Sequence, residues 1–389
     1  MSGEARAFDM RQDAGGGAGA GQILAGLRAL DRPLLSVIAI LIVIGIIVSL
    51  AASPGATARI QVEDSFHFST RHAIFAGIGA VVLIAASLLP LIAVRRISVF
   101  LYVIALVLVT VATFVSPDVK GASRWIDIGP VNLQPSEILK PAIIVMWAWM
   151  LSEHMKRPRF PGHWVALGLF APAALLLLAQ PDVGQTALLG FTFAAMLLLA
   201  GVSWRWIVGG AAAAGALGLL LYHFEAHVRA RVDAFLNPTE PGYQVGRALD
   251  AIASGGLFGR GPGEGVIKRS LPDAHSDFVY AVAAEEFGLL ASIGLLALYF
   301  YLLWRGLSRS SRLIDPFAQL AGAGLVLQIV MQALIHIAVN LSLLPAKGMT
   351  LPLISYGGSS MMCVCLTLGF VLAITRARPG AYLYDGVRG

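Results

Sequence analysis

Residues 272–288 read PDAHSDFVYAVAAEEFG, and the organisation of the whole chain turns on them. The stretch closes the longest polar segment between two apolar runs and opens a long apolar helix. It carries four acids, Asp273, Asp277, Glu285 and Glu286. A charge inside a bilayer costs about 3 kcal/mol or more, so acids at the head of an apolar helix need a reason. At about 100° per residue, Glu285 lies only ~80° around the helix from Asp277, on the same broad face. Glu286 falls on the opposite side. Two readings stand. Ser276 or Asp277 caps the helix, as Ser and Asp often do, or Asp277 is a functional acid.

The composition sets the class. Of 389 residues, 57% are hydrophobic and 13% are charged. Soluble domains carry about 25% charged residues, so with a mean hydropathy of +0.78 this reads as an all-α polytopic membrane protein. The net charge of +6 would suggest nucleic acid in a soluble protein; its placement here reports topology instead. Cys363 and Cys365 sit two apart in one apolar run and face different sides of a helix, which disfavours a disulfide or a metal site.

Apolar runs of about 20 residues, the length that crosses a bilayer, predict ten spans: 33–54, 72–94, 97–115, 136–154, 163–180, 184–201, 204–222, 278–305, 317–342 and 350–375. The Gly- and Ala-rich residues 1–32 read as a disordered or amphipathic cytoplasmic tail, and 377–389 as a second cytoplasmic tail. With the N-terminus inside, the inner segments hold sixteen Lys and Arg: Arg6, Arg11, Arg28, Arg32, Arg95, Arg96, Lys156, Arg157, Arg159, Arg205, Arg305, Arg309, Arg312, Arg376, Arg378 and Arg388. The short outer loops hold five: Arg59, Arg71, Lys120, Arg124 and Lys347. Positive charge stays inside, so both termini face the cytoplasm and the large loop 223–277, between spans 7 and 8, faces outward.

Unusual residues collect on that outer side. GASRWIDIGPVNLQPSEILKP, residues 121–141, sets Arg124 and Trp125 beside a turn at Gly129-Pro130 and enters a helix with Ser136 as a candidate N-cap. Glu137 and Lys140 are i, i+3, which makes a local ion pair the simplest reading. In the large loop, Phe224, Val228, Val232 and Phe235, then Val245, Leu249 and Ile252, have helical spacing and suggest two amphipathic surface helices. GRGPGEG, residues 259–265, follows no strand and is no dinucleotide fingerprint; plain loop chemistry competes with phosphate binding by its N–H groups. In NLSLLPAKGMTLPLISYGGSSMM, residues 340–362, Lys347 precedes the last span, Pro352 is expected in its first turn, and Ser355, Gly358 and Ser359 offer a small face for close packing.

Four stretches in this order resemble the FtsW/RodA family of bacterial cell-wall polymerases, the SEDS proteins: GASRWIDIGPVNLQPSEILK, FLNPTEPGYQV with SGGLFGRGPGEG, PDAHSDFVYAVAAEEFG, and KGMTLPLISYGGSS. The resemblance covers about residues 33–378. LPAKGMTLPLISYGG, LAASP at 50–54 and DSFHF at 64–68 resemble the division branch, FtsW, more than the elongation branch, RodA. This chain has Ser276 where many relatives have Thr, and Arg247-Ala248 where many have Gln-Ser. The resemblance implies a peptidoglycan glycosyltransferase of the bacterial inner membrane that polymerises lipid II at the division septum. It also implies a growing glycan strand linked to undecaprenyl pyrophosphate, a class B penicillin-binding protein as crosslinking partner, and further division proteins. No nucleic acid and no organic cofactor are expected.

That reaction needs a base for the attacking sugar hydroxyl and positive charge for the departing pyrophosphate. Asp277 is the candidate base, and a divalent cation (Mg or Mn) on it is a candidate cofactor. Arg124, Lys140 and Lys347 are candidate cations for pyrophosphate. Trp125, His275, Ser355 and Tyr356 are candidate substrate contacts, and Glu285 is expected to hold a cation through an ion pair within the bundle. Competing readings are a lipid II flippase, an elongation-type polymerase, or a scaffold that only recruits the crosslinking enzyme. A transporter should show ionisable groups near the midplane and often an internal repeat; no repeat is visible. No Ser has Lys three residues on, so the S-x-x-K motif of penicillin-binding proteins is absent.

Overall fold

The computed structural model describes residues 18–115, 124–129, 131–226, 228–229, 232–233, 243–345 and 348–377. The elements are α1 (Ala18–Arg28), α2 (Arg32–Ile60), α3 (His67–Ser87), α4 (Leu91–Val115), β1 (Ile126–Ile128), β2 (Val131–Leu133), α5 (Pro135–Lys156), α6 (Gly162–Ala179), α7 (Val183–Leu199), α8 (Trp204–Phe224), α9 (Tyr243–Gly255), a 3₁₀ turn at Ile267–Arg269, α10 (Val279–Ser310), α11 (Pro316–Asn340) and α12 (Gly358–Thr375). Among the described residues eight helices, α2, α3, α4, α6, α8, α10, α11 and α12, are long and apolar enough to cross a membrane. The two remaining expected spans fall on α5, which has charged side chains in its first and last turns, and on α7, which has 17 residues. The all-α expectation holds apart from one small antiparallel hairpin, in which Ile126 pairs with Leu133. Gly129, at φ 61°, makes its turn.

The exterior of the bundle is apolar, unlike that of a soluble protein. Ile40, Val43 and Ile47 on α2 and Val103, Val107 and Val111 on α4 point outward, as a lipid-facing band must. Polar groups such as Gln185, Gln328, Gln332 and Asn340 are buried. Close approach is made by glycine: a Cβ on Gly369 would fall 2.6 Å from Ala86 Cβ, so α12 lies directly on α3. Cys363 and Cys365 are buried and unbridged, as expected. Helix α8 differs from the others, with no buried residue along its apolar stretch among the described residues.

The cationic end of the bundle is tied by acids at helix starts. Asp31 caps α2, accepting from Leu34 N–H at 3.0 Å, and pairs with Arg305 at 2.8 Å and Arg309 at 2.9 Å on α10. Asp315 caps α11 and pairs with Lys156 at 2.9 Å and Arg95 at 3.5 Å. One carboxylate at each junction therefore satisfies orphan N–H groups and neutralises the last turn of another helix.

Several boundaries differ from the sequence reading, each for a local reason. The α3–α4 turn lies at Leu88–Pro90, not at 95–96, because Pro90 interrupts the helix and Arg95 continues inside α4. Ser136 is not an N-cap: Gln134 holds that position, with Pro135 at N1. The last helix begins at Gly358, not at 350, so Pro352 is outside it. Residues 351–355 instead form a buried, non-helical re-entrant turn with Leu353 at φ 67°. Tyr299 O–H donates to Pro352 C=O at 2.6 Å, and irregular backbone is tolerated at such depth only when protein surrounds it. The expected continuous span 278–305 is broken at Gly288, whose φ of 80° and ψ of −177° are not helical. The second expected loop helix is α9; it packs on α10, with Ala248 and Ala251 buried, and does not lie free on a surface. Much of the first, with Phe235, lies outside the described residues, as do 1–17 of the N-terminal tail and 378–389 of the C-terminal tail.

Candidate functional site

Asp277 lies at the end of the bundle opposite the Asp31 and Asp315 junctions, in a run of turns just before α10. It does not cap that helix. The N-cap is Phe278 and no side-chain cap bond is made, while Ser276 Oγ turns back to Asp273 C=O. The capping reading of both residues therefore falls. What holds the segment is a set of donors from elsewhere, one for each of three successive carbonyls. Tyr356 N–H donates to His275 C=O at 2.9 Å, Ser355 Oγ to Ser276 C=O at 2.6 Å, and Asn340 Nδ2 to Asp277 C=O at 3.2 Å. Asn340 Oδ1 also accepts from Ala281 N–H at 3.2 Å, serving the first turn of α10 from a neighbouring helix. His275 stacks on Phe68 of α3 with ring centroids 4.1 Å apart, and Tyr356 meets the same ring edge-on. On its other side the Asp277 carboxylate abuts Gly348, where an added Cβ would lie 3.3 Å from Oδ2.

Inward of this segment is a closed polar ring. Lys140 Nζ donates to Glu137 Oε1 at 2.7 Å and to Gln332 Oε1 at 2.7 Å. Gln332 Nε2 donates to Thr350 C=O at 2.9 Å. Thr350 and Ser360 hydroxyls meet at 2.7 Å, and Ser360 Oγ returns to Glu137 Oε2 at 3.1 Å. Gln185 of α7 adds a bond to Glu137 at 3.3 Å, and Gln328 adds one to Gln332 at 3.0 Å. The ring unites α5, α7, α11, α12 and the re-entrant segment, and Glu137 and Lys140 are almost fully buried in it. Eight residues of α11 separate Gln332 from Asn340, so the ring lies ~12 Å deeper than the Asp277 clamp.

The structure sorts the expected site residues into three places. Asp277, His275, Ser355 and Tyr356 come together as described, but Ser355 and the Tyr356 N–H engage the protein's own backbone. Lys140 sits in the ring, held by Glu137 as the i, i+3 spacing predicts. Its ammonium is already bonded to two side chains, so it is not an exposed cation for pyrophosphate. Arg124 joins the α6–α7 turn, with Nη2 donating to Pro181 C=O at 2.6 Å and Nε to Gln180 C=O at 3.3 Å. Its Nε is also 3.7 Å from Asp182 Oδ2. Burial pushes the Asp182 carboxyl above the usual carboxylate range, against the opposing pull of Arg124. Trp125 is half-buried just before β1. Lys347 lies outside the described residues; its neighbour Gly348 is the residue against Asp277.

Glu285 departs furthest from its expected role. Its Oε1 accepts from Val266 and Ile267 N–H at 2.8 and 2.7 Å, and its Oε2 from Lys268 N–H at 2.9 Å. Both oxygens are occupied by backbone, so the ion pair expected of Glu285 belongs instead to Glu286. Glu286 pairs with the buried Lys268 and accepts from Gly263 and Gly265 N–H. Gly259, Gly261 and Gly263 have φ of 83°, 107° and 89°, a loop conformation that glycine favours and that turns successive N–H groups inward. The loop is an anion nest, and the anions it holds are these two carboxylates.

The residues that the sequence reading passed over are on α11. Gln328, Gln332, His336 and Asn340 recur every four residues on an otherwise apolar helix, and all are buried. That periodicity was the available signal, since a polar stripe within a span faces the bundle interior. Among the described residues no group of three or more His, Cys, Asp or Glu side chains is arranged to hold a metal ion. A single carboxylate with further ligands from substrate phosphates and water is still a usual way to bind Mg²⁺, and Asp277 fits that role.

A family model described as a cell cycle protein, FtsW/RodA/SpoVE, matches residues 32–379. The chain is 48% identical over 358 residues to a probable peptidoglycan glycosyltransferase FtsW of Caulobacter vibrioides, covering 92% of each chain. It is 41% identical over 280 residues to a protein of the same description from Halothiobacillus neapolitanus, covering 69% of this chain and 67% of that one. Among solved structures it matches a chain of a peptidoglycan synthase complex, described as coordinating polymerization and crosslinking. The TM-score is 0.74 at 26% identity, over 89% of this chain and 97% of that one. The rod shape determining protein RodA of Thermus thermophilus matches with a TM-score of 0.67 at 26% identity, over 89% and 96%.

Proposed function

We propose that this chain, which belongs to the FtsW/RodA/SpoVE family, is the division-branch peptidoglycan glycosyltransferase of its cell and uses Asp277 as its general base. The chain is a multi-pass inner-membrane protein; α5 and α7 complete ten spans, both termini are cytoplasmic, and the Asp277 end faces the periplasm. The Lys and Arg asymmetry supports that orientation, and so do the ion-paired junctions at the opposite end. The acceptor sugar hydroxyl attacks the anomeric carbon of a lipid-linked donor. As the new glycosidic bond forms, the bond to pyrophosphate oxygen breaks, and the hydroxyl proton passes to Asp277. A divalent cation on Asp277 would neutralise the leaving pyrophosphate. Lys347, next in sequence to Gly348, is the cation we assign to the same diphosphate, and His275 borders the sugar site. A class B penicillin-binding protein would crosslink the product, because this chain lacks the S-x-x-K motif of that chemistry.

The observation that carries the reading is the clamp on residues 275–277. Three donors fix the backbone of residues 275–277, and fixed placement of the base is what proton abstraction requires. No internal repeat is visible in the sequence, which favours an enzyme over a transporter. The test is glycan polymerisation from lipid II by purified Asp277→Asn, with thermal stability measured in parallel. A general base contributes ~10²–10⁴-fold, so polymerisation should fall at least ~100-fold in a protein that still folds. Near-normal polymerisation would remove Asp277 from the mechanism. Lipid II transport without any polymerisation by the native protein would instead establish the flippase.

A further inference from the structure

Asn340 occupies the contact between the end of α11 and the segment before α10, and every polar atom of its side chain is engaged. Nδ2 donates to Asp277 C=O at 3.2 Å and to His336 C=O at 2.9 Å, and Oδ1 accepts from Ala281 N–H at 3.2 Å. It therefore spans the junction at which the chain leaves the 273–278 turns and becomes helix, gripping residue 277 on one side and residue 281 on the other. It is fully buried, so water does not compete for these bonds. Asp273, at φ 51°, begins the turn that Asn340 ends. Within the turn the N–H groups of Ser276, Asp277 and Phe278 all donate to Asp273 C=O, at 3.1, 3.0 and 3.3 Å, while the Asp277 carbonyl is held from outside by Asn340.

We propose that Asn340 is a positioning residue for the glycosyl transfer: by fixing the peptide of residue 277 and the first turn of α10 together, it sets the direction of the Asp277 carboxylate. Ser355 acts with it through the adjoining carbonyl, Ser276 C=O, while its own oxygen accepts from Leu351 N–H at 2.8 Å. The inference rests on the reading of Asp277 as the base. A carboxylate displaced by ~1 Å can lose up to ~100-fold in rate while the substrate, held by other groups, still binds. The signature is thus a fall in kcat with KM unchanged.

The experiment is a double-mutant cycle on the full-length chain with lipid II, normalised to folded protein. Asn340→Ala should lower kcat at least ~10-fold with KM within about twofold. Added to Asp277→Asn it should cost no more than about a further twofold, because the group it positions is already gone. Unchanged kcat per folded molecule, or an equal loss in both backgrounds, overturns the proposal. Should Asn340→Ala fail to fold, the independent Ser355→Ala carries the same cycle, and a normal kcat per folded molecule would overturn the proposal. A near-normal Asp277→Asn enzyme would sink the base reading itself, an outcome distinct from failure of the cycle.

Discussion

Among the described residues two lysine–glutamate pairs are buried, and they are built differently. Glu137 and Lys140 lie on one helix and are completed by side chains from four other segments, through Gln185, Gln332, Thr350 and Ser360. Lys268 and Glu286 come from a loop and a helix and are completed mostly by backbone: the Gly263 and Gly265 N–H groups on the acid and Ala51 C=O, at 2.8 Å, on the lysine. Side chains can change rotamer when a partner is lost. Backbone groups fixed in a nest cannot. The first pair is an adjustable joint inside the bundle, and the second is a fastening between loop and helix.

The largest effect should come from Glu286→Gln. It leaves the Lys268 ammonium buried without a counter-charge, and breaking a buried pair costs ~3–5 kcal/mol. Thermal or denaturant unfolding in detergent would measure this, and a loss no larger than that of Glu137→Gln would break the comparison. Glu137→Gln should cost less, ~1–3 kcal/mol, because the Gln332 oxygen still accepts from Lys140. The paired change Glu137→Gln with Lys140→Met should destabilise less than Lys140→Met alone, since it removes both charges together. The smallest effect is expected of Arg124→Gln, where two partners are backbone carbonyls of the α6–α7 turn: about 1 kcal/mol in stability. Losing the cation should also raise the Asp182 carboxyl further above its ordinary range, as NMR or infrared titration would detect. A large loss of lipid II affinity with unchanged stability would instead return Arg124 to the substrate.

Much of the architecture was legible because its signals are local. Apolar runs locate the helices, and the i, i+3 spacing of Glu137 and Lys140 forecasts their ion pair. Asp277 stands out as an acid at the head of a span, with Gly348 of the KGM stretch against it. The functions of Glu285 and Ser355 were not legible, because both bond to backbone brought close only by tertiary folding. Ser355 meets Ser276 across 79 residues of sequence. The break at Gly288 was not legible, because a glycine inside a helical pattern is tolerated and only its contact with residues 256–259 explains it. The α11 stripe was legible in principle, since its period of four is plain once a buried face is sought in place of an apolar run.

That break bears on how the protein enters a membrane during synthesis. Leu289 N–H donates to Gly256 C=O at 2.9 Å and Leu290 N–H to Leu257 C=O at 3.3 Å, so the loop supplies acceptors that the interrupted helix lacks. The same loop neutralises Glu285 and Glu286. On its own, a segment with two acids in its leading turns inserts poorly, at roughly 3 kcal/mol for each acid near the helix centre and less toward its end. Residues 256–268 leave the ribosome before residues 279–310, so the nest is synthesised before the acids that fill it. The groups that make this acid-headed span tolerable in a bilayer are thus already synthesised when it emerges, and shortening the loop should lower the yield of folded protein in the membrane.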